Sequence, residues 1–271
     1  MQGKDKLQFK VIDPIRLRLV RLFRSSSYGT YKEESFGLVS IILPTFNRCE
    51  ILLSRAIPSV LGQTYKNWEL LVISHGCSDS TVIEVEALSK KDPRVKLVEI
   101  DRKNLGYPPT AENHWLVGPV KPINAGLKKV SGEWIARIDD DDEWHPNHLR
   151  TLLDLLVSTG AEFGSSAYNV ILENEMRVIY PQGYPPVGGV QTWLYRSYLK
   201  FFRANVNSWQ KTWNRVNDTD LQERFISSGV RISSTDSITV SIRPRPGEKQ
   251  IGSSAYLSNK SHYEKKYGAG S

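Results

Sequence analysis

The sequence predicts an α/β fold in which a mainly parallel sheet carries helices on both faces. Between residues 38 and 158, short apolar runs alternate with amphipathic stretches, and polar turns separate the two. Such alternation is typical of parallel sheets, because a crossover helix connects each parallel pair of strands. Beyond residue 170 the alternation weakens. We therefore expect an irregular C-terminal half.

The length and composition indicate one main domain with an extension at each end. The chain has 271 residues, of which 39% are hydrophobic and 24% charged, which is enough for a proper core. We place a basic extension at residues 1–37, the main domain at residues 38–243 and a loose tail at residues 244–271. Cys49 and Cys77 are the two cysteines and form no CxxC pair. Neither a disulfide nor a zinc framework is therefore predicted.

The charge balance restricts the classes of partner. A net charge of +7 suits nucleic acid, an anionic membrane surface or a phosphorylated substrate. The sequence has no aromatic-basic RNP pattern, zinc finger or basic helix with heptads, so we expect no nucleic-acid partner. It also has no apolar run of the roughly 20 residues that span a bilayer, and no secretory signal at Met1. We therefore expect a cytoplasmic protein, with peripheral contact at the inner face of the membrane as an open alternative.

The N-terminal extension contains a basic amphipathic stretch. Residues 15–24 interleave four arginines with apolar residues. At helical spacing Ile15, Leu19, Leu22 and Phe23 gather on one side, although the neighbouring residues interrupt the pattern. Two interpretations stay open: a helix that lies on a membrane surface, and a helix that packs on the main domain with its arginines solvated.

The first strand, over residues 38–43, leads into the turn Pro44-Thr-Phe-Asn-Arg48 and a helix over residues 50–61. Strand, turn and helix in this order begin a nucleotide-binding βα unit. The turn has neither GxGxxG nor the P-loop pattern, so it supports neither a dinucleotide site nor a P-loop site.

Further elements follow in the same order. A second strand over residues 68–73 ends in the polar run Ser74-His-Gly-Cys77, and a helix to residue 91 precedes a third strand over residues 95–100. Residues 107–121 contain several prolines and predict an irregular loop that acts as a lid or specificity element.

Four consecutive carboxylates, Asp139-Asp-Asp-Asp142, follow directly on an apolar strand that begins at Trp134. Pro146 and Asn147 mark the start of the next helix, so the carboxylates lie at the carboxyl end of a strand. Ligands bind at this edge of open α/β sheets. Four adjacent negative charges in a partly buried turn repel one another, and a divalent cation would relieve the repulsion. The alternative is a solvated acidic turn that caps the helix, but the apolar strand and Trp144 on either side favour the cation.

The C-terminal half is predicted with fewer elements. We expect a helix over residues 146–158, a strand over 163–170, a helix over 219–228 that ends at Gly229, and a last strand over 237–242. Residues 184–193 are loop-like.

Six segments, in order along the chain, resemble the family-2 glycosyltransferases of the GT-A fold. They are residues 39–48, 56–65, 104–106, 124–127, 138–144 and 217–224, and the match covers roughly residues 38–230. The resemblance implies a GT-A type, Rossmann-like sheet with an acceptor-side C-terminal half. It also implies inverting transfer of a sugar from a nucleoside diphosphate to an acceptor hydroxyl, in polysaccharide, glycolipid or glycoconjugate synthesis.

The resemblance also implies roles for individual residues on the donor side. The turn formed by Pro44, Thr45, Phe46, Asn47 and Arg48 would hold the base. Asp141 would lie near the ribose and the metal, and Asp142 would be the metal ligand. Mn²⁺ or Mg²⁺ would bridge the diphosphate oxygens. Further nucleotide-binding candidates are Ser74, His75 and Asn124.

On the acceptor side, the resemblance implies that Asp218 is the catalytic base that takes the proton from the acceptor hydroxyl. The alternative is that Asp218 caps the helix that begins at Thr219, and both roles can coexist. Gly189 and Trp193 are candidates for contacts with the acceptor. A UDP-sugar is the first expectation for the donor, and a glycan or a lipid-linked molecule for the acceptor.

Two positions depart from the pattern of the family. The family's Asp-Asp-Gly-Ser after the second strand is Ser74-His-Gly-Cys77 here, and the family's Arg before the Asn-x-Gly helix is Ile123. Lys121 and Arg48 are candidates for the missing charge. A hydroxyl or a neutral imidazole accepts a hydrogen bond more weakly than a carboxylate, so we expect looser selection for uracil. Titration of His75 would also change the affinity between about pH 5.5 and 7.5.

Two other interpretations remain. A sugar-phosphate nucleotidyltransferase also combines acidic metal ligands with a nucleotide-binding sheet, but it normally has a glycine- and arginine-rich loop after the first strand. A non-catalytic relative that binds nucleotide sugars is favoured by Ser74 and Ile123. The presence of Asp141, Asp142 and Asp218 counts against it.

Overall fold

One sheet organises the computed structural model, which describes residues 7–24, 36–210 and 217–267. Within these residues the sheet has nine strands, in the order β3-β2-β1-β4-β8-β6-β9-β5, with β7 paired to β6 outside this path. The strands are β1 (Val39–Thr45), β2 (Trp68–His75), β3 (Val95–Ile100), β4 (Trp134–Arg137), β5 (Asp142–Trp144), β6 (Phe163–Ile171), β7 (Met176–Ile179), β8 (Leu194–Arg196) and β9 (Ile232–Ile242).

The N-terminal half of the sheet is parallel. β1 pairs with β2 on one side and β4 on the other, and β3 pairs with β2, all in parallel. Every residue of β1 and β2 is buried, as expected for strands covered by helices on both faces. The predicted α/β fold is confirmed. β2 extends past its predicted end, because Ser74 and His75 pair with Glu99 and Ile100 of β3.

The C-terminal half mixes strand directions. β8 is antiparallel to both β4 and β6, β9 is parallel to β6, and β5 is antiparallel to β9. This pairing brings the end of β9 beside Asp142, the first residue of β5, whose partner in the register is Ile242. The chain therefore leaves β9 next to the four consecutive carboxylates of residues 139–142, called the acidic run below.

The helices lie on both faces of the sheet. They are α1 (Asp13–Arg24), α2 (Cys49–Ile51, Leu52–Ala56 and Ile57–Leu61, the middle segment being π-helical), α3 (Thr81–Lys91), α4 (Ala111–Val117), α5 (Val120–Lys129), α6 (His148–Thr159), α7 (Asn217–Ser228), α8 (Gly252–Ser258) and α9 (Lys260–Tyr267). A π-helical turn, Gln8–Ile12, precedes α1. Among the described residues, every helix is too short or too polar to cross a bilayer.

Alternation along the strands produces two cores. Leu43 of β1 and Leu152 of α6 belong to the core on one face, while Ile42 of β1 and Phe225 of α7 belong to the core on the other. Successive residues of a strand point to opposite faces, so β1 contributes to both cores. β1 and β4 are therefore buried between the two cores, and β4 leads into the four carboxylates of residues 139–142.

Two sequence predictions about irregular segments are wrong. Residues 107–121 contain α4 and the start of α5, because Thr110 caps α4 by accepting a hydrogen bond from the Asn113 N–H at 3.2 Å. Residues 244–267 are not a loose tail, because they carry α8 and α9. Tyr256 is 2% exposed, with its ring centroid 5.7 Å from that of Tyr263. The domain boundaries themselves stay a prediction.

α1 packs on the main domain. Leu17 and Asp13 are fully buried, and Arg224 of α7 donates a hydrogen bond to Asp13 at 2.9 Å. Arg21 forms an ion pair with the buried Glu162 at 2.5 Å. The interpretation of a packed helix is thus correct for this face of α1.

Candidate active site

A cavity of about 440 Å³ opens at the carboxyl ends of β1, β2 and β4. This is the edge at which the sequence predicts a ligand site. The predicted site residues in its lining are Pro44, Thr45, Phe46, Arg48, His75, Asp141, Asp142, Gly189 and Asp218.

Asp140 is held at the floor of the cavity by two donors. The Thr45 hydroxyl donates to one carboxylate oxygen at 2.9 Å, and Arg48 donates to the other at 2.8 Å. Burial raises the pKa of Asp140, and the Arg48 guanidinium opposes this only in part. Arg48 thereby supplies a positive charge inside the cavity, whereas Lys121 donates to the Lys103 carbonyl at 2.8 Å. Of the two candidates for the missing charge, Arg48 is the one that lines the site.

Asp141 pairs with an arginine from the C-terminal segment. Arg245 donates to its carboxylate at 2.5 Å, and Arg48 lies 3.7 Å away. Burial opposes ionisation of Asp141, but Arg245 and Arg48 together lower its pKa. Arg245 is itself fixed, because its guanidinium donates to the Tyr263 hydroxyl at 3.1 Å. A guanidinium therefore occupies one side of the acidic run.

The pKa of Asp142 shifts in the opposite direction from that of Asp141. Asp142 is 6% exposed, and burial together with the charges of Asp141 and Asp139 raises its pKa well above the ordinary value. The charge of Arg245 lowers this pKa by less than either of these two carboxylates raises it. The next carboxylate, Asp139, pairs with Arg137 at 2.9 Å. A buried carboxylate that is surrounded by other negative charges is a favourable ligand for a cation.

The donor set fits a metal that is shared with a substrate better than a metal held by protein alone. Among the described residues, no group of three or more Asp, Glu, His or Cys side chains is arranged to hold a metal ion. Mg²⁺ typically binds to one or two carboxylates and completes its shell with substrate phosphates and water. Asp142 and Asp141, at one wall of a cavity large enough for a nucleotide, match that pattern.

Asp218 lies in the first turn of α7 and lines the same cavity. Its carboxylate accepts a hydrogen bond from the Thr219 N–H at 2.9 Å. Burial raises the pKa of Asp218, and the charge of Arg137 reduces that effect. The carboxylate thus accepts from a backbone N–H within the first turn and also lines the cavity. The predicted N-cap of a helix that begins at Thr219 is wrong, because α7 begins at Asn217 and Asp218 lies inside it.

Aromatic and cationic side chains form the wall near β2. The Arg102 guanidinium lies 3.8 Å from the centroid of the Phe46 ring, and His114 approaches the same ring edge-on at 6.2 Å. Burial and the charges of Arg102 and Lys121 lower the pKa of His75 to about 4. The prediction that His75 titrates between about pH 5.5 and 7.5 is therefore wrong, because its imidazole stays neutral across this range.

Four predicted site residues lie outside the lining of this cavity. The Asn47 side chain accepts a hydrogen bond from the Ser78 N–H at 2.7 Å and lines a neighbouring cavity. Ser74 is 1% exposed within β2. Asn124 exchanges two hydrogen bonds with the Ala204 backbone, at 2.9 and 3.0 Å. Trp193 donates to the Gly188 carbonyl at 2.8 Å and is 2% exposed.

Several lining residues were not found from the sequence. They include Arg102, Arg137, Tyr168, Gln191, Arg245 and Tyr263. Arg137 immediately precedes the last apolar residue before the acidic run, so its position in the strand was a usable signal. Arg245 had no local signal, because its partner Asp141 lies 104 residues earlier.

The family follows from a match along most of the chain. A model of glycosyl transferase family 2 matches residues 40–108 and 111–224, more than half of the chain. The chain belongs to this family. Membership confirms the resemblance seen in the sequence and favours it over the nucleotidyltransferase alternative.

Relatives of this family 2 protein match part of its length. It is 35% identical over 147 residues to the Escherichia coli UDP-Glc:alpha-D-GlcNAc-diphosphoundecaprenol beta-1,3-glucosyltransferase WfgD, covering 54% of this chain and 52% of that protein. It is 36% identical over 115 residues to the GalNAc(5)-diNAcBac-PP-undecaprenol beta-1,3-glucosyltransferase of Campylobacter jejuni subsp. jejuni serotype O:2, covering 42% of this chain and 33% of that protein. The chain thus spans about half the length of the first relative and a third of the second.

Solved structures support the GT-A fold. S. aureus TarS 1–349 in complex with UDP-GlcNAc is 21% identical and superposes with a TM-score of 0.60, covering 83% of this chain and 63% of that chain. The mannosyltransferase PcManGT from Pyrobaculum calidifontis, in complex with GDP-Man and Mn²⁺, is 12% identical with a TM-score of 0.57, covering 88% of this chain and 70% of that chain. At these identities the likeness concerns the fold.

Proposed function

We propose that this protein is a metal-dependent, inverting glycosyltransferase that moves a sugar from a nucleoside diphosphate to an acceptor hydroxyl. One observation carries the proposal. In a member of glycosyl transferase family 2, the acidic run and Asp218 line one cavity at the carboxyl edge of the sheet. Metal-binding candidates and a candidate base thus face the same space.

Asp142, with Asp141 beside it, would hold the divalent cation. When bound, Mn²⁺ or Mg²⁺ would neutralise the charge that develops on the leaving diphosphate. The raised pKa of Asp142 supports this assignment, because burial among like charges leaves that carboxylate poorly neutralised. Arg48, already inside the cavity, would contribute a second positive charge toward the phosphates.

Asp218 would act as general base. The acceptor oxygen attacks the anomeric carbon, the bond from that carbon to the diphosphate oxygen breaks, and the acceptor proton passes to the Asp218 carboxylate. Attack opposite the leaving group inverts the anomeric centre. A raised pKa makes Asp218 a stronger base than an ordinary aspartate, provided that it is ionised at the working pH. Activity should therefore fall as the pH falls through that raised pKa.

The donor would be bound with its base near Phe46, Arg102 and His75. Ser74 and neutral His75 stand where the family has its acidic pair, so selection among bases would be looser than in relatives with those carboxylates. UDP-sugars remain the first choice. WfgD carries UDP-Glc in its name, and TarS was solved with UDP-GlcNAc.

The acceptor would be a glycan or a sugar attached to a lipid. The names of both bacterial glucosyltransferase relatives specify undecaprenol-linked sugars. An acceptor of this kind would place the reaction at the membrane surface, with the protein on the cytoplasmic side.

Transfer assays with purified full-length protein test the proposal. UDP-Glc, UDP-GlcNAc and GDP-Man are each offered with Mn²⁺ or Mg²⁺ and a polyprenyl-diphosphate-linked sugar, and the product anomer is assigned by NMR. We expect transfer with inversion from at least one UDP-sugar, lost with chelator. The matched controls are Asp218→Asn and Asp142→Ala. Nucleotide binding without transfer by any of these donors would instead favour a non-catalytic binding protein.

A further inference from the structure

The face of α1 that points away from the domain is apolar. Six large hydrophobic side chains on this face, extended by the preceding π-helical turn, are exposed by 43–79%: Leu7, Val11, Ile15, Leu19, Leu22 and Phe23. The two at the C-terminal end are the most exposed, Leu22 by 75% and Phe23 by 79%. Contiguous exposed apolar patches on soluble domains mark contact surfaces.

The opposite face of α1 fixes this orientation. Phe9, Asp13 and Leu17 are at most 5% exposed. The Arg224–Asp13 ion pair, at 2.9 Å, has side chains exposed by only 6% and 0%. Separating a buried pair of this kind is strongly unfavourable, because it leaves an uncompensated charge. The helix therefore cannot rotate its apolar row inward.

The π-helical turn keeps the exposed apolar side chains in one row along the helix. Leu7, Val11, Ile15 and Leu19 follow one another at intervals of four residues. A π-helical turn in Gln8–Ile12 accommodates slightly more than four residues, so this interval keeps side chains on one side. From Leu7 to Phe23 the row is about 24 Å long at the helical rise.

Basic side chains border the apolar row. Lys10 and Arg18 lie along one edge at helical spacing, Arg16 lies along the other, and all three are exposed. An apolar face with basic flanks is the pattern of helices that lie in the interface of a bilayer. Anionic headgroups attract such flanking charges, each contributing about 1 kcal/mol near the surface.

We propose that α1 docks this protein in the plane of an anionic phospholipid bilayer, with Leu19, Leu22 and Phe23 in the acyl boundary. The contact does not depend on the donor or on the chemistry at Asp218. It does orient the site, because Arg224, which anchors α1, follows Asp218 by six residues on α7, about 9 Å along the helix axis. A membrane-bound acceptor would then meet α7 close to the bilayer surface.

Flotation of the full-length protein with vesicles, without nucleotide sugar, tests this docking. Vesicles of phosphatidylcholine alone are compared with equimolar phosphatidylcholine and phosphatidylglycerol. The double variant Leu19→Glu/Leu22→Glu should bind at least about 10²-fold more weakly, since each buried leucine contributes roughly tenfold. Arg16→Gln/Arg18→Gln should weaken binding to the anionic vesicles by about 30-fold at low salt, at about fivefold per charge.

Ile83→Glu is the matched control. Ile83 is 69% exposed on α3, so it tests whether any added carboxylate lowers binding. We expect wild-type binding for this variant. Docking through α1 is refuted if the leucine variant binds as wild type does, or if Ile83→Glu binds equally poorly. It is also refuted if the protein fails to bind vesicles and instead dimerises in solution through this face, with Leu19→Glu/Leu22→Glu monomeric.

Discussion

Arg245 should weaken metal binding to the nucleotide-free protein. Its guanidinium lies 2.5 Å from the Asp141 carboxylate, where a cation would otherwise be attracted. Two unit charges about 4 Å apart near a protein surface interact by about 4 kcal/mol. Because Arg245 is 30% exposed and Asp141 15%, solvent screening reduces this to about 1–2 kcal/mol. Arg245→Gln should therefore bind Mn²⁺ about 5- to 30-fold more tightly in the absence of donor.

Calorimetric titration with Mn²⁺ measures this change. Arg177→Gln is the control, because the Arg177–Glu175 pair has side chains exposed by 52% and 53% and lies outside the cavity lining. Its Mn²⁺ affinity should equal that of the wild type. Thermal melts check that Arg245→Gln retains the packing around Tyr263. An unchanged or weaker Mn²⁺ affinity in a folded Arg245→Gln protein would show that Arg245 and the metal do not compete at Asp141.

Further predictions concern the carboxylate of Asp142, the proposed general base Asp218 and the buried imidazole of His75. Asp142→Ala should abolish metal-dependent binding of nucleoside diphosphate in calorimetry, and full transfer by this variant in chelator would exclude a metal role. Asp218→Asn should lower kcat by at least about 10²-fold, because an amide cannot act as the general base. Donor affinity should stay nearly intact, because the Asn side-chain oxygen can still accept the hydrogen bond from the Thr219 N–H. A lower melting temperature with normal kcat would show that Asp218 is purely structural. His75 has a folded pKa of about 4, below its ordinary 6.5. It thus contributes stability that is complete above about pH 6.5 and is lost toward pH 4. In denaturant titrations, His75→Gln should flatten this acid loss, and an identical pH profile would contradict the assigned burial.

The parallel half of the fold was predictable because its signals are local. β1, β2 and β4 are mainly apolar, with Ser40 and Glu69 as polar exceptions inside β1 and β2, and each ends in polar residues within the next few positions. Strands buried on both faces need such runs, and ligands gather where they end. The cavity lining at Phe46, Asp141 and Asp142 could therefore be predicted without knowing the path of the rest of the chain.

The C-terminal side could not be predicted in the same way. Its polar and proline-containing segment has no periodic pattern, and its order depends on contacts with distant residues. Tyr256 is buried against Trp115 of α4, with ring centroids 5.9 Å apart, and Arg245 reaches Asp141 because β9 pairs with β5. The same reason explains the misplaced loop at residues 107–121, where α4 forms part of this packing.

The four carboxylates of the acidic run differ in how far they are neutralised. Three of its four carboxylates pair with an arginine in the part of the chain that the structure describes: Asp139 with Arg137, Asp140 with Arg48 and Asp141 with Arg245. Asp142 remains in a field of like charges that raises its pKa. Because the resemblance to the family had already assigned Asp142 as metal ligand, two independent lines of reasoning select the same residue. Arg48 and Arg245 neutralise Asp140 and Asp141. Under the proposed function, a cation that arrives with a diphosphate would therefore meet Asp142 as the least neutralised of the four carboxylates.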